Sequence, residues 1–404
     1  MLIDTTLLVN NPWIVKGLLD GSLIRHGGVI RWAAGTAQGG QIVKHLSEVL
    51  PLSPISGATQ IIGQGLTYYK LLGIEKQLGA MMGLTQIAAG ASVLNLGVSI
   101  LGFAYMGYKL HQIQKAIANL QEIVIHGFDH VNRRLDQMSG QLTYLALLTE
   151  TSLAQQEKLA EAIANLHRTS LMKEVADLSA ELLDRSRFPN DSPRQALKTA
   201  SRVRLFLASQ AVQATPELDA ELMLNTDVSI QGWAVATATE VNLLLEMGEN
   251  TEAKQLMMDE FPKFRQVAQL WGNALIDDDN QYLATGYRFT ASPFQDYISL
   301  ERVNRILEIS GRDQNLSEDQ IEWRKKDVAV EFEMSYSHRY DQSWVDRQLA
   351  VAEYLDSLSE LSARLEGLES FAALCEQENV KSSRDILPQG AVPGLYICGE
   401  KDYN

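Results

Sequence analysis

Residues 77–108, QLGAMMGLTQIAAGASVLNLGVSILGFAYMGY, contain no Asp, Glu, Lys or Arg, and Lys76 and Lys109 close the run on either side. No other stretch constrains the fold as strongly, because an uncharged segment of this length must be kept from water by protein or by lipid. As a helix it would reach about 48 Å at ~1.5 Å per residue, more than the roughly 30 Å hydrocarbon slab of a bilayer. Spacing gives it two kinds of face. Thr85, Ala88, Ser92, Asn95, Ser99 and Gly102 follow one another at steps of three and four and form a small, weakly polar stripe. Leu84, Ile87, Leu94, Val98 and Leu101 form the apolar stripe beside it.

Gly83, Gly90 and Gly97 recur every seventh position. Each glycine in a water-exposed helix costs about 1 kcal/mol relative to alanine, so their regular placement calls for a compensating close approach of backbones. Gly83, Thr85, Gly90, Ser92, Asn95, Gly97, Ser99 and Gly102 are therefore the expected packing or membrane-contact positions. Three readings of the segment stand at this level: a helix buried as the centre of a soluble bundle, conditional insertion into a membrane, and constitutive spanning.

The rest of the chain differs in kind. Of the whole chain's formal charge of −15, residues 1–110 account for seven Lys and Arg against four Asp and Glu, leaving 28 against 46 for the remainder. Seventeen of the 28 glycines fall in the same 110 residues. A mildly basic, glycine-rich front suits an anionic lipid surface, and an acidic rear favours solubility. Two cysteines, Cys375 and Cys398, are too few for a disulfide framework and lack metal-type spacing, so a reducing cytoplasm is expected. Asp4 stands where a secretory leader would carry lysine or arginine, and no long apolar run follows it, so contact with a membrane is expected from its inner face.

Along the chain the pattern divides into five parts. Residues 1–54 are a glycine-rich β and loop element, in which SLIRH, VIRW and QIVKHL, set between glycines, read as a hairpin or meander across residues 12–46. Residues 55–109 read as an apolar helical hairpin. Residues 110–187 carry Leu110, Ile113, Ile117 and Leu120, then Phe128, Val131, Leu135 and Met138 in a three-four rhythm, with one extra step near Gly127. This is one very long amphipathic helix or two packed together.

Residues 188–385 form a C-terminal helical domain. FPNDSP opens it, with Asp191 or Ser192 as cap and Pro193 at the first helical position. Helix starts are also expected at Thr215-Pro216, at Ser292-Pro293 with Gln295, and at Ser317 with Gln320. Residues 232–276 read as a helical pair joined at Gly248-Glu249-Asn250, with the outline of one tetratricopeptide-type hairpin, and residues 343–378 as a last long helix. Residues 386–404 are an extended tail strapped onto the body. The fold class is mainly α, a helical bundle with a central apolar helix and a small N-terminal β element.

Motifs for chemistry fail on inspection. GTAQGGQ lacks the lysine and hydroxyl residue of a phosphate loop, and GQGLTY lacks the third glycine of a dinucleotide turn. His126 and His130 share a helical face, but Gly127 stands where a zinc hydrolase places glutamate. The run Asp277, Asp278, Asp279 lacks the alternate ligands and distant glutamate of a calcium loop. Arg324, Lys325 and Lys326 are the one basic cluster, in an acidic half, which argues against nucleic acid. No enzyme and no cofactor or metal is expected.

The order of parts over residues 55–186, an apolar glycine-rich segment flowing into long amphipathic helices, resembles helical pore-forming toxins and bacterial membrane-acting effectors of antiphage or toxin systems. In haemolysin-like toxins the apolar hairpin lies between two long helices, whereas here little helix precedes it, and no functional residue carries over. The resemblance implies a membrane-active, non-enzymatic protein that shelters its apolar helix until it oligomerises or meets a partner. Membrane lipid, further copies of the chain or a helical protein are the expected partners. The alternative is a soluble interaction scaffold in which residues 192–380 recognise a protein and the apolar helix is core.

Overall fold

The computed structural model describes residues 3–49, 117–118, 143–150, 153–168, 170–188, 191–386 and 394–400. Residues 77–108, and with them Gly83, Thr85, Gly90, Ser92, Asn95, Gly97, Ser99 and Gly102, lie outside the described residues, as do His126 and His130.

The chain is mainly α-helical with a small antiparallel sheet. Strand β1 (Ile3–Leu7) is followed by helix α1 (Pro12–Asp20), then β2 (Leu23–His26), β3 (Val29–Trp32) and β4 (Ile42–Val49). The helices of the body are α2 (Thr143–Glu150), α3 (Leu153–Arg168), α4 (Leu171–Arg187), α5 (Arg194–Gln213), α6 (Ala220–Met247), α7 (Asn250–Ile276), α8 (Leu300–Ile309), α9 (Glu318–Arg339) and α10 (Gln342–Gln377). Strand β5 (Gly394–Glu400) ends the described chain.

In the sheet the order is β1-β5-β4-β3-β2, all neighbours antiparallel. The C-terminal segment, expected as an extended strap, is thus the strand between β1 and β4, pairing Cys398 with both Thr5 and His45. Residues 12–20 differ from the expected meander: Asn11 accepts a hydrogen bond from Ile14 N–H as N-cap, Pro12 occupies the first turn, and Gly21 closes α1 in the left-handed region. Alternation then sorts the sheet. Leu23, Ile30, Leu46 and Ile397 join Leu8 and Ile14 in a small core under α1, while His26, Val29, Arg31, His45 and Cys398 lie on the opposite face, toward α10.

The body is organised around α6. Twenty of its 28 residues are buried, although it carries Asp227, Gln231, Glu240 and Asn242. Most of those polar groups find partners inside: Asp227 accepts from the Tyr144 hydroxyl at 3.2 Å and from Gln231 at 2.7 Å, Glu240 accepts from Ser201 and from Arg204 Nε, each at 2.7 Å, and Asn242 Nδ2 donates to the Ala238 carbonyl at 2.7 Å. Thr237, Thr239 and Ser229 donate back to carbonyls one turn earlier. Trp233 Nε1 donates to Glu260 of α7 at 2.8 Å, and Arg204 also pairs with Glu260 at 3.0 Å. Burial without partners would cost several kcal/mol per ion, so these pairings are what let a polar sequence serve as the centre.

Several expected starts move. At α5 the N-cap position is Pro193 itself, with no side-chain cap from Asp191 or Ser192. Helix α6 opens at Ala220, where Asp219 accepts from the N–H groups of Glu221 and Leu222, rather than at Thr215-Pro216. Ser292-Pro293 lies in a turn, and α8 starts beyond it with Ser299 as cap. Ser317 and Gln320 form the expected reciprocal capping box of α9. Residues 250–276 follow α6 across Gly248, but helices of 28 and 27 residues exceed a tetratricopeptide hairpin, whose repeat is about 34 residues in all. Within residues 143–187 the described chain forms three helices instead of one or two.

Candidate functional site

The hairpin β2–β3 turns through Gly27 and Gly28, both at positive φ (64° and 73°), with His26 paired to Val29 across them. A two-residue turn with both central φ angles positive matches the strand twist and calls for glycine. The tip presses on α10: a Cβ at Gly27 would overlap the main chain of Ala363, and one at Gly367 would come within 2.9 Å of Val29 Cγ1. Below this contact the sheet meets the same helical face through Arg31, whose Nη2 donates to Glu366 at 2.7 Å, and His45, whose ring lies 3.3 Å from Ser370 Oγ. Positions 363, 366, 367, 370 and 371 follow the three-four period of one helix face.

Between this hairpin and helices α7, α8 and α10 lies a cleft of about 720 Å³. Helix α8 is fixed on α10 by buried ion pairs: Arg302 with Glu353 (2.6 Å) and Asp356 (3.2 Å), and Arg305 with Asp356 (2.9 Å). His26, 5% exposed, sits at the cleft's inner end, with Nδ1 3.6 Å from Glu308 and Nε2 3.9 Å from Glu360. Those separations bring charge close without forming hydrogen bonds, and Nε2 has no hydrogen-bond partner among the described residues. Burial drives the His26 pKa down to about 4, against the pull of Glu360. His45 falls to about 4 as well, through burial and then through Arg31. Burial alone would raise the Glu360 carboxyl, but Arg364, His26, Arg25 and Arg305 outweigh it and hold it well below the usual range.

Both histidines are therefore neutral near pH 7. The arrangement is a recess of mixed polar and apolar lining, suited to holding a ligand. It brings together His26, Arg31, Glu308 and Glu360, none of which the sequence pattern singled out. Their sequence separations carry no periodic signal; the one legible hint was the paired glycines beside His26.

The other expected positions fall elsewhere. Asp277 pairs with Arg312 at 2.6 Å, Asp278 accepts from Asn280 N–H, and no group of His, Cys, Asp or Glu among the described residues could hold a metal ion. Cys375 and Cys398 are both buried and free, their thiols pushed up to about 12 by burial. Among the described residues no helix is long and apolar enough to cross a membrane. In comparisons with protein families, curated proteins and solved structures, nothing matches this chain.

Proposed function

We propose that this chain is a non-enzymatic, membrane-active helical protein, pore-forming or membrane-disrupting in mode, that shelters residues 77–108 until oligomerisation or a partner releases them to lipid. One observation carries the reading. A bundle of this size needs a helix buried on all sides, and α6 fills that role with most of its polar groups paired and with Trp233, Val241 and Leu245 almost wholly enclosed. An uncharged run at residues 77–108 is thus surplus to the requirement that would make it the bundle's centre. The charge division supports the same reading, since the acidic body would stay in water while the basic front meets anionic lipid. The site of action in this reading is the cytoplasmic face of a membrane.

Dye release from anionic vesicles tests it. The intact protein is expected to release dye, and Gly90→Leu with Gly97→Leu to reduce release by about tenfold, because close helix approach needs small residues at those positions. Equal inertness of both proteins across lipid compositions sinks the reading.

One observation favours the second reading, a soluble scaffold that recognises a helical protein. Trp323, Val330 and Met334 are 71%, 44% and 76% exposed and fall at i, i+7 and i+11, on the side of α9 opposite the buried Val328 and Phe332. An apolar stripe on an exposed helix face is the usual form of a helical contact. On that reading Trp323→Glu abolishes partner capture, and vesicles leave hydrodynamic size unchanged.

A further inference from the structure

We infer that the cleft beneath the β2–β3 hairpin is a binding site for a neutral, polyhydroxylated small molecule of the size of a disaccharide. The inference is independent of the membrane reading. At about 720 Å³ the recess lies within the range of small-molecule sites, about 300–1,000 Å³. Its lining decides the class. Arg31 and Glu366 neutralise each other at 2.7 Å, which leaves Arg265 and Glu308 as one charge of each sign. An anionic ligand would need an excess of positive charge, which this cleft lacks, and a lipid tail an uninterrupted apolar wall, whereas Ile24, Phe261 and Leu307 here share the lining with charged and carboxamide side chains.

What it does offer is hydrogen-bonding groups from separate elements, aimed at a common space. Gln269 follows Arg265 by one turn of α7, Glu308 follows Asn304 by one turn of α8, and Ser359 and Ser362 come from α10. Carboxamides and carboxylates engage adjacent hydroxyls two at a time, as donor, acceptor or both. Trp32, half-buried at the cleft wall, contributes apolar ring surface of the kind against which the C–H face of a sugar ring packs. Neutral, hydroxyl-rich and partly apolar is the description of a sugar.

The experiment is calorimetric titration of the full chain with maltose, cellobiose and sucrose, and in parallel with inorganic phosphate and with dodecyl phosphocholine below its micelle concentration. At least one of the sugars is expected to give saturable binding, with a change in tryptophan fluorescence from Trp32, and the other two probes none. Gln269→Ala with Asn304→Ala is expected to weaken sugar binding by about tenfold or more while leaving the thermal unfolding midpoint in place, since Asn304 is exposed and Gln269 half-buried. Absence of saturable binding by all three sugars up to about 10 mM overturns the proposal, as does phosphate binding in their stead or sugar binding undiminished in the double variant.

Discussion

Gly27→Val is expected to destabilise the protein by about 2–6 kcal/mol, the sum of roughly 1–3 for a β-branched residue at positive φ and roughly 1–3 for overpacking. The second contribution is the informative one. At Gly27 the added atoms meet the main chain of Ala363, which cannot swing aside as a flexible side chain can. Gly21 supplies the control, since it also has positive φ (76°) but open space around its Cβ position. Gly21→Val should pay the backbone strain alone. Urea unfolding of the two variants therefore isolates the docking of the hairpin tip on α10, and equal midpoints would show that the tip does not bear on that helix.

Acidification is the second large effect. His26 and His45 have folded pKa values of about 4 against an ordinary 6.5, so between those limits the unfolded chain binds more protons than the folded one. Stability then rises with pH: the contribution is complete above pH 6.5 and is lost as pH falls toward 4. At ~1.4 kcal/mol per unit, each histidine forfeits about 3 kcal/mol. Carboxylates with depressed pKa values, Glu360, Asp219 and Glu260, extend the loss as pH falls further, through and below their own unfolded values. Both histidines stand on the sheet face that meets α10, and β4, which carries His45, runs to Val49 and so to the chain that leads into residues 77–108. Unfolding by urea at a series of pH values should show His26→Gln with His45→Gln flattening the slope between pH 6.5 and 4. A slope identical to that of the unaltered protein would place the acid sensitivity elsewhere.

Much of the helical plan could be read from sequence because its signals are local. The long helix expected at residues 343–378 is Gln342–Gln377, the break at Gly248 falls where expected, and Ser317 and Gln320 cap as their spacing implies. The β2–β3 hairpin was legible from two β-branched runs around a glycine pair. Helix α1 was missed although Asn11, Pro12 and Gly21 are ordinary start and stop residues, because the density of glycine nearby favoured a meander. The tail's place in the sheet was illegible for a different reason: pairing Cys398 with Thr5 joins positions at opposite ends of the chain. Helix α6 was hidden by its own polar residues, whose partners, Tyr144, Arg204 and Ser201, lie on other helices. The cleft was the least legible part, since His26, Arg31, Glu308 and Glu360 meet only through the docking of the hairpin on α8 and α10.

The central claim is that residues 77–108 exchange a sheltered setting for lipid while the acidic body remains in water. An environment-sensitive fluorophore attached at Asn95→Cys tests it directly, and the native thiols, buried and held near 12, should stay unlabelled in the folded protein. A second protein labelled at Glu252→Cys, on the exposed side of α7, reports on the body. On addition of anionic vesicles the label at position 95 should shift to the blue and be quenched by lipid-borne quenchers, while the label at position 252 keeps its aqueous spectrum. A label at position 95 that is unchanged by vesicles and untouched by lipid-borne quenchers would contradict the account.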